Sequence, residues 1–214
     1  MAEQPAERRT RGPGAHHAQR RAEIADAVLA IVAERGLAAV SLTEVAAQAG
    51  ISPGRVQHYF PAKRRLIEAA FERGNHLSSA RIRQRVGSEL GAAEPRLVLT
   101  AVLTELIPYD ATTEAHMRVR QSFHAYAFSD EAIAARLRVL YAAFHRDMAG
   151  LVERDQRAGR IPAAIDPHRA ALSLVALAEG LAAYVLTGVT PGAVARERVL
   201  AAVAGLYQGA APRP

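Results

Sequence analysis

The chain has 214 residues, half of them hydrophobic, and a formal net charge of +6 with most of the positive excess in residues 1–65. This length and composition allow a sizeable buried core, and a basic surface attracts phosphate backbones. The absence of cysteine excludes a disulfide framework, a thiolate metal site and a cysteine nucleophile, and it fits a reducing cytoplasm.

The chain begins with a polar, basic segment, residues 1–17, which we expect to be a disordered arm. It has no apolar stretch after its charges, so it lacks the pattern of a secretory signal. Arginines at positions 8, 9 and 11 either belong to a solvated tail or reach an adjacent minor groove.

A helix is predicted from about Ala18 to Gly36, because the apolar residues of this stretch recur at helical spacing. A second helix begins after Ser41, since Ser41 and Glu44 form the pattern of a capping box in which each side chain bonds the other residue's backbone N–H. Gly50 follows the last apolar turn and supplies the left-handed residue that ends this helix.

A third, short helix is predicted from Pro53 to Tyr59. Ser52 satisfies an unpaired backbone donor at its start, and proline fits the first helical position. Only Val56 and Phe60 are apolar anchors. The side chains left to project away from the core, where they face a major groove, are those of Arg55, Gln57 and His58.

The stretch 41–66 resembles the DNA-binding domain of TetR-family transcriptional regulators, whose pattern runs S/T-x-x-x-[IV]-A-x-x-A-G-[IV]-S-x-G-x-[LV]-Y-x-[HY]-F-x-x-K-x-x-L. The matching residues are Ser41, Val45, Ala46, Ala49, Gly50, Ile51, Ser52, Gly54, Val56, Tyr59, Phe60, Lys63 and Leu66. Two positions depart from it: Gln57 replaces a tyrosine, and Ala62 replaces a Ser-like cap.

The resemblance implies a set of DNA-contacting residues: Ser41, Thr43, Ser52, Gly54, Arg55, Gln57, His58, Tyr59 and Lys63. We expect Ser41, Thr43, Tyr59 and Lys63 to touch phosphates, which positions a protein without reading sequence. Gln57 either pairs with an adenine edge through its amide or only touches phosphate.

Downstream of Lys63 the chain reads as helical throughout. A long helix is predicted to Val86, and others at about 95–107, 113–128, 130–158, 167–187 and 192–207, separated by Gly, Pro and Asp. No alternating pattern of strands is present. We predict an all-α fold of about nine helices, with a DNA-binding domain at 18–65, an effector-binding and dimerisation domain at 66–208, and a disordered tail at 209–214.

The nearly all-apolar segment 170–186 has three interpretations. It is short for a membrane span and is interrupted by Ser173, Glu179, Gly180 and Tyr184, so a buried helix is favoured. With the alanine-rich last helix it forms either half of an intersubunit four-helix bundle, as the family resemblance also implies, or part of the monomer core.

No pattern of catalytic, metal-ligating or cofactor-binding residues is present, so we predict neither an enzyme nor a bound metal or cofactor. His116 and His124 share a helix face with Arg120. Such histidines are pocket groups, weak metal ligands or ordinary hydrogen-bonded side chains. We place the effector pocket near Arg120, Gln121, His124 and Tyr141.

Residues 159–184 are also similar to the effector domain of regulators related to the choline-responsive repressor of the family. A choline site needs an aromatic cage, whereas this chain has no Trp and only 5% aromatic residues, so an apolar or mixed small ligand fits equally. We therefore expect a cytoplasmic homodimeric repressor that binds a palindromic DNA operator, is released by a small-molecule effector and has no membrane partner. The alternative is an all-helical ligand-binding or scaffold protein that does not read DNA.

Overall fold

The computed structural model describes residues 13–87 and 91–208, and within these ranges the chain is all α-helical, without a β-strand. The predicted fold class is confirmed. The helices are α1 (Pro13–Arg35), α2 (Leu42–Ala49), α3 (Pro53–Tyr59), α4 (Lys63–Val86), α5 (Pro95–Glu105), α6 (Ala111–Ala127), α7 (Glu131–Arg157), α8 (Pro167–Leu186) and α9 (Gly192–Gly205), with a short 3₁₀ helix at Leu37–Ala39.

The two short helices α2 and α3 are held by the predicted local bonds. Ser41 Oγ accepts from the Glu44 backbone N–H at 3.2 Å, and Ser52 Oγ accepts from the Arg55 N–H at 3.3 Å. Gly50 ends α2 with φ 64°, a left-handed conformation that glycine adopts without strain. The second bond of the capping box, from the Ser41 N–H to the Glu44 carboxylate, is replaced by an ion pair between Glu44 and Arg35.

Two helix starts differ from the sequence prediction. Helix α1 begins at Pro13, so residues 13–17 of the expected disordered arm are helical, and His17 packs against Tyr59 with ring centroids 4.9 Å apart. Helix α6 begins at Ala111, because Asp110 and Thr113 form a reciprocal capping box. The rest of the expected arm, residues 1–12, and the expected tail, residues 209–214, lie outside the described residues.

The interior divides into two hydrophobic clusters. The first contains α1 to α4 together with one side of α6 and the start of α7, and Phe71 of α4 stacks on Phe123 of α6 at 4.6 Å. The second joins α5, α7, α8 and α9. The domain boundary predicted between residues 65 and 66 therefore falls inside one core, since α4 continues through it.

Helix α8 buries only part of its surface. It is long and apolar enough to cross a membrane by length and composition alone, and 28% of its apolar window is buried. Large apolar side chains remain exposed on α8, on α9 and between them: Leu172, Leu177, Tyr184, Val189, Val194 and Leu200. The expectation of a buried helix thus holds for one face only. The other face of α8 is also apolar but is exposed.

Candidate nucleic-acid interface and ligand cavity

Helix α3 presents a polar surface that no described part of the chain covers. Val56 and Phe60 are fully buried, and they fix the helix on the core so that Arg55, Gln57 and His58 point outward. The side chains of Arg55 and Gln57 make no hydrogen bond or ion pair with any described residue. Both are therefore available to an external partner.

The remaining residues predicted to contact DNA lie in α3 or in the segments before and after it. Those exposed at the surface are Ser41, Thr43, Ser52, Gly54 and Lys63. Tyr59 is half-buried, because its ring packs against His17 and His58. Arg21 of α1 donates to the Tyr59 carbonyl at 3.0 Å and lies over the Phe60 ring, so α1 braces the end of α3.

A cavity of about 220 Å³ lies among α4, α5, α6 and α7. Its lining is mostly apolar, with a polar strip contributed by α4 and α6, which is the usual composition of a small-molecule site. The lining residues are Phe71, Asn75, Ser78, Ser79, Ile82, Val102, Glu105, Leu106, His116, Arg120, Leu140, Tyr141 and Phe144.

Arg120 is the centre of the polar strip. It is nearly fully buried and donates to Glu179 of α8 from Nε at 3.1 Å and from Nη2 at 2.5 Å, to Tyr141 at 2.9 Å and to Asn75 Oδ1 at 3.1 Å. Burial lowers the pKa of Arg120, but the charges and hydrogen bonds of Glu179 and Tyr141 together outweigh burial and raise the pKa overall. The guanidinium therefore stays charged and ties together four helices.

His116 of α6 extends this network to two residues of α4. Because Asn75 Oδ1 can only accept, His116 Nε2 donates to it across 3.2 Å, and His116 Nδ1 is left to accept from Ser78 Oγ at 3.2 Å. Burial, together with the positive charges of Arg120 and Arg81, lowers the pKa of His116 to about 3. His116 is consequently a neutral structural link and not a cation.

Of the predicted pocket residues, the structure brings three into contact. Tyr141 donates to Glu179, and His124 Nε2 lies 3.0 Å from the Tyr141 hydroxyl. Burial raises the pKa of Tyr141 and lowers that of His124. Arg120 and Tyr141 line the cavity, His124 lies behind Tyr141, and Gln121 is outside the lining and without a hydrogen bond to the described residues.

Helix α4 connects the cavity to the helix-turn-helix. Its first turns are held to α7 and its cap by ion pairs, in which Arg64 contacts Asp130 while Arg136 contacts Glu68 and Glu72. Its middle turns form one wall of the cavity. Because α4 directly follows α3, a ligand that separates α4 from α6 or α7 would also shift the end of the helix-turn-helix.

A second cleft is larger than this cavity but less suited to sensing. This cleft of about 590 Å³ lies between the α5–α6 connection and the start of α9, but it does not touch α4. Across residues 13–87 and 91–208 no group of three His, Cys, Asp or Glu side chains could hold a metal ion.

The sequence analysis did not identify several participants, among them Asn75, Ser79 and Glu179. Glu179 left a recognisable signal, because a single carboxylate within an apolar helix requires a buried partner. Asn75 and Ser79 left none, since a polar residue on a long helix with exposed turns has no distinguishing pattern.

The chain has a helix-turn-helix whose second helix is exposed, and one long helix joins it to a helical domain with an internal cavity. This arrangement is typical of ligand-responsive DNA-binding regulators. Comparison with protein families agrees. Residues 24–70 match the TetR family of bacterial regulatory proteins, and residues 95–208 match the C-terminal domain of BetI-type transcriptional repressors. The chain belongs to the TetR family of transcriptional regulators, as its sequence predicted.

Individual relatives support this membership. The chain is 31% identical over 163 residues to the regulator BetI of Burkholderia cenocepacia, covering 76% of this chain and 79% of that protein. It is 31% identical over 111 residues to the regulator PksA of Bacillus subtilis, covering 52% of this chain and 53% of PksA. With PksA and two BetI proteins the chain spans about half of the relative's length.

A solved structure shares the whole fold. The crystal structure of a candidate transcriptional regulator from Saccharomonospora viridis in complex with choline has a TM-score of 0.75 and 22% identity, covering 92% of this chain and 100% of that chain. TetR-family proteins bind DNA operators and small-molecule effectors and act as dimers, and they are transcriptional regulators and not, in general, enzymes.

Proposed function

We propose that this chain is a cytoplasmic repressor that binds a palindromic operator through α3. The observation that carries the proposal is the surface of α3, where Arg55 and Gln57 are exposed and have no partner within residues 13–87 and 91–208. Arginine pairs with the O6/N7 edge of guanine, and glutamine pairs with the N6/N7 edge of adenine. Lys63, the only lysine of the chain, supplies a phosphate contact beside them.

The operator-binding form is a homodimer that pairs through α8 and α9. Several large apolar side chains of these helices are exposed, and large exposed apolar patches mark association sites. A two-fold axis makes such an interface self-complementary and places the two α3 helices on successive turns of one DNA face. The operator is accordingly an inverted repeat.

A small molecule in the cavity of α4 to α7 switches the dimer. It favours a position of α4, and thus a separation of the two α3 helices, that does not fit the operator. The ligand must bind this state more tightly than the DNA-bound state, because equal affinity for both shifts nothing. The choline complex of the structural neighbour supports a ligand site in this fold.

The test is a mobility-shift titration of the protein with duplexes from the DNA upstream of its own coding sequence. We expect a discrete complex with one inverted repeat that resists competition by unrelated DNA. Binding with no preference for any duplex would instead support the alternative, a helical ligand-binding or scaffold protein.

A further inference from the structure

Two polar side chains of the cavity lining have hydrogen-bond donors that no described residue uses. Asn75 Oδ1 already accepts from Arg120 and His116, which fixes the amide so that its Nδ2 carries the two free N–H groups. Neither Asn75 Nδ2 nor the Ser79 hydroxyl has a partner among the described residues, and both residues line the cavity.

These two groups are accessible and not sealed in protein. Among the described residues, the one buried side-chain nitrogen or oxygen that lacks a partner is Arg20 Nε, which belongs to a residue outside the cavity lining. The carboxylates nearby are occupied: Glu105 accepts from Arg81, Arg85 and Tyr109, and Glu179 lies behind Arg120 outside the lining.

The aromatic rings of the cavity are not free to bind a cation. The Arg120 guanidinium carbon lies 5.7 Å from the Phe71 ring centre and 5.5 Å from that of Tyr141, so an arginine already occupies both rings. The cavity lining contains one arginine, Arg120, and one glutamate, Glu105, and each is already in an ion pair. A quaternary ammonium would therefore meet the Arg120 guanidinium and no unpaired carboxylate, and the remaining ring, that of Phe144, stacks on His145.

We propose that the effector is a compact, mostly apolar molecule with one oxygen acceptor group, a carboxylate or a neutral carbonyl, which binds Asn75 Nδ2 and the Ser79 hydroxyl. Its apolar body lies against Ile82, Val102 and Leu106. This inference deepens the proposed function by assigning the chemical class of the effector, and it rests on the cavity being the sensing site.

The test measures direct binding to the full chain by calorimetry with three probes of equal chain length: octanoate, methyl octanoate and octyltrimethylammonium. Octanoate and the ester should bind, and octanoate at least about ten-fold more tightly than the ammonium. Equal or tighter binding of the ammonium, or no binding of either oxygen acceptor, would overturn the assignment.

A substitution of Asn75 tests the contact made by its side-chain amide. Asn75→Asp keeps the oxygen that accepts from Arg120 and His116 but replaces the two free N–H groups by a second acceptor. Octanoate binding should weaken at least about ten-fold. Gln84→Glu is the matched control, because it makes the same change on an exposed turn of α4 and should bind octanoate as the wild type does. If Asn75→Asp does not fold, Ser79→Ala should weaken octanoate binding about three- to ten-fold, and an unchanged affinity would refute the contact.

Operator binding is measured separately, so the two proposals fail in different ways. If octanoate binds but leaves operator affinity unchanged, the switch fails and the ligand class stands. If an ammonium compound releases the operator and the oxygen acceptors do not, the switch stands and the ligand class is wrong.

Discussion

The buried imidazole of His116 should make the folded protein less stable in mild acid. Its pKa falls from 6.5 to about 3 on folding, so the unfolded chain takes up a proton that the folded state does not accept. A folded pKa below the unfolded one gives stability that is complete above pH 6.5 and is lost as the pH falls toward 3. Between pH 7 and pH 5 the loss is about 2 kcal/mol.

Urea denaturation followed by far-ultraviolet circular dichroism at pH 7 and pH 5 measures this loss. His116→Gln keeps a hydrogen-bonding side chain without a titrating group, so its free energy of unfolding should change by about 2 kcal/mol less over the same pH range. His76→Gln removes an exposed histidine of α4 and should keep the wild-type difference. If His116→Gln and the wild type lose the same free energy, the imidazole is not held neutral by burial and the reasoning is refuted.

Gly74→Ala places a methyl group 2.0 Å from a ring carbon of the His116 imidazole, so it should lower the free energy of unfolding by about 1–3 kcal/mol, measured by thermal melting. The control Gly150→Ala meets no atom within 4 Å and should be neutral or stabilising. Lys63→Ala should weaken all operator variants alike and reduce the slope of log affinity against log salt by about one; a changed base preference with an unchanged slope would contradict the phosphate contact. Gln57→Ala should cost about 1–3 kcal/mol of discrimination at one symmetric base pair, and Arg55→Ala at a different one. A uniform loss for Gln57→Ala across operator variants would assign it to phosphate.

The sequence predicted the helix-turn-helix in detail because its determinants are local. The hydroxyl of Ser41, the proline after Ser52 and the left-handed Gly50 each act within four residues, so spacing alone specifies them. The start of α1 at Pro13 was missed because His17 is held by Tyr59, a contact between residues far apart in the chain.

Spacing within one helix also predicted part of the Arg120 network. His116, Arg120 and His124 recur every four residues and do share one face of α6, whereas Gln121 is rotated by about 100° from Arg120 and leaves that face. The partners of Arg120, namely Asn75 and Glu179, come from other helices. Only their packing brings them together, and no pattern in one helix predicts it.

DNA reading by a dimer through α3 is tested most directly by titrating the inverted repeat and its isolated half-site with protein during sedimentation velocity. We predict two protomers on the repeat, with half-site centres one turn, roughly 34–36 Å, apart, and weaker binding to the half-site. Arg55→Ala should reduce the preference for the repeat over a scrambled duplex, because one base contact per half-site is lost, while leaving the protein dimeric. A monomer that binds repeat and scrambled DNA equally would contradict the account.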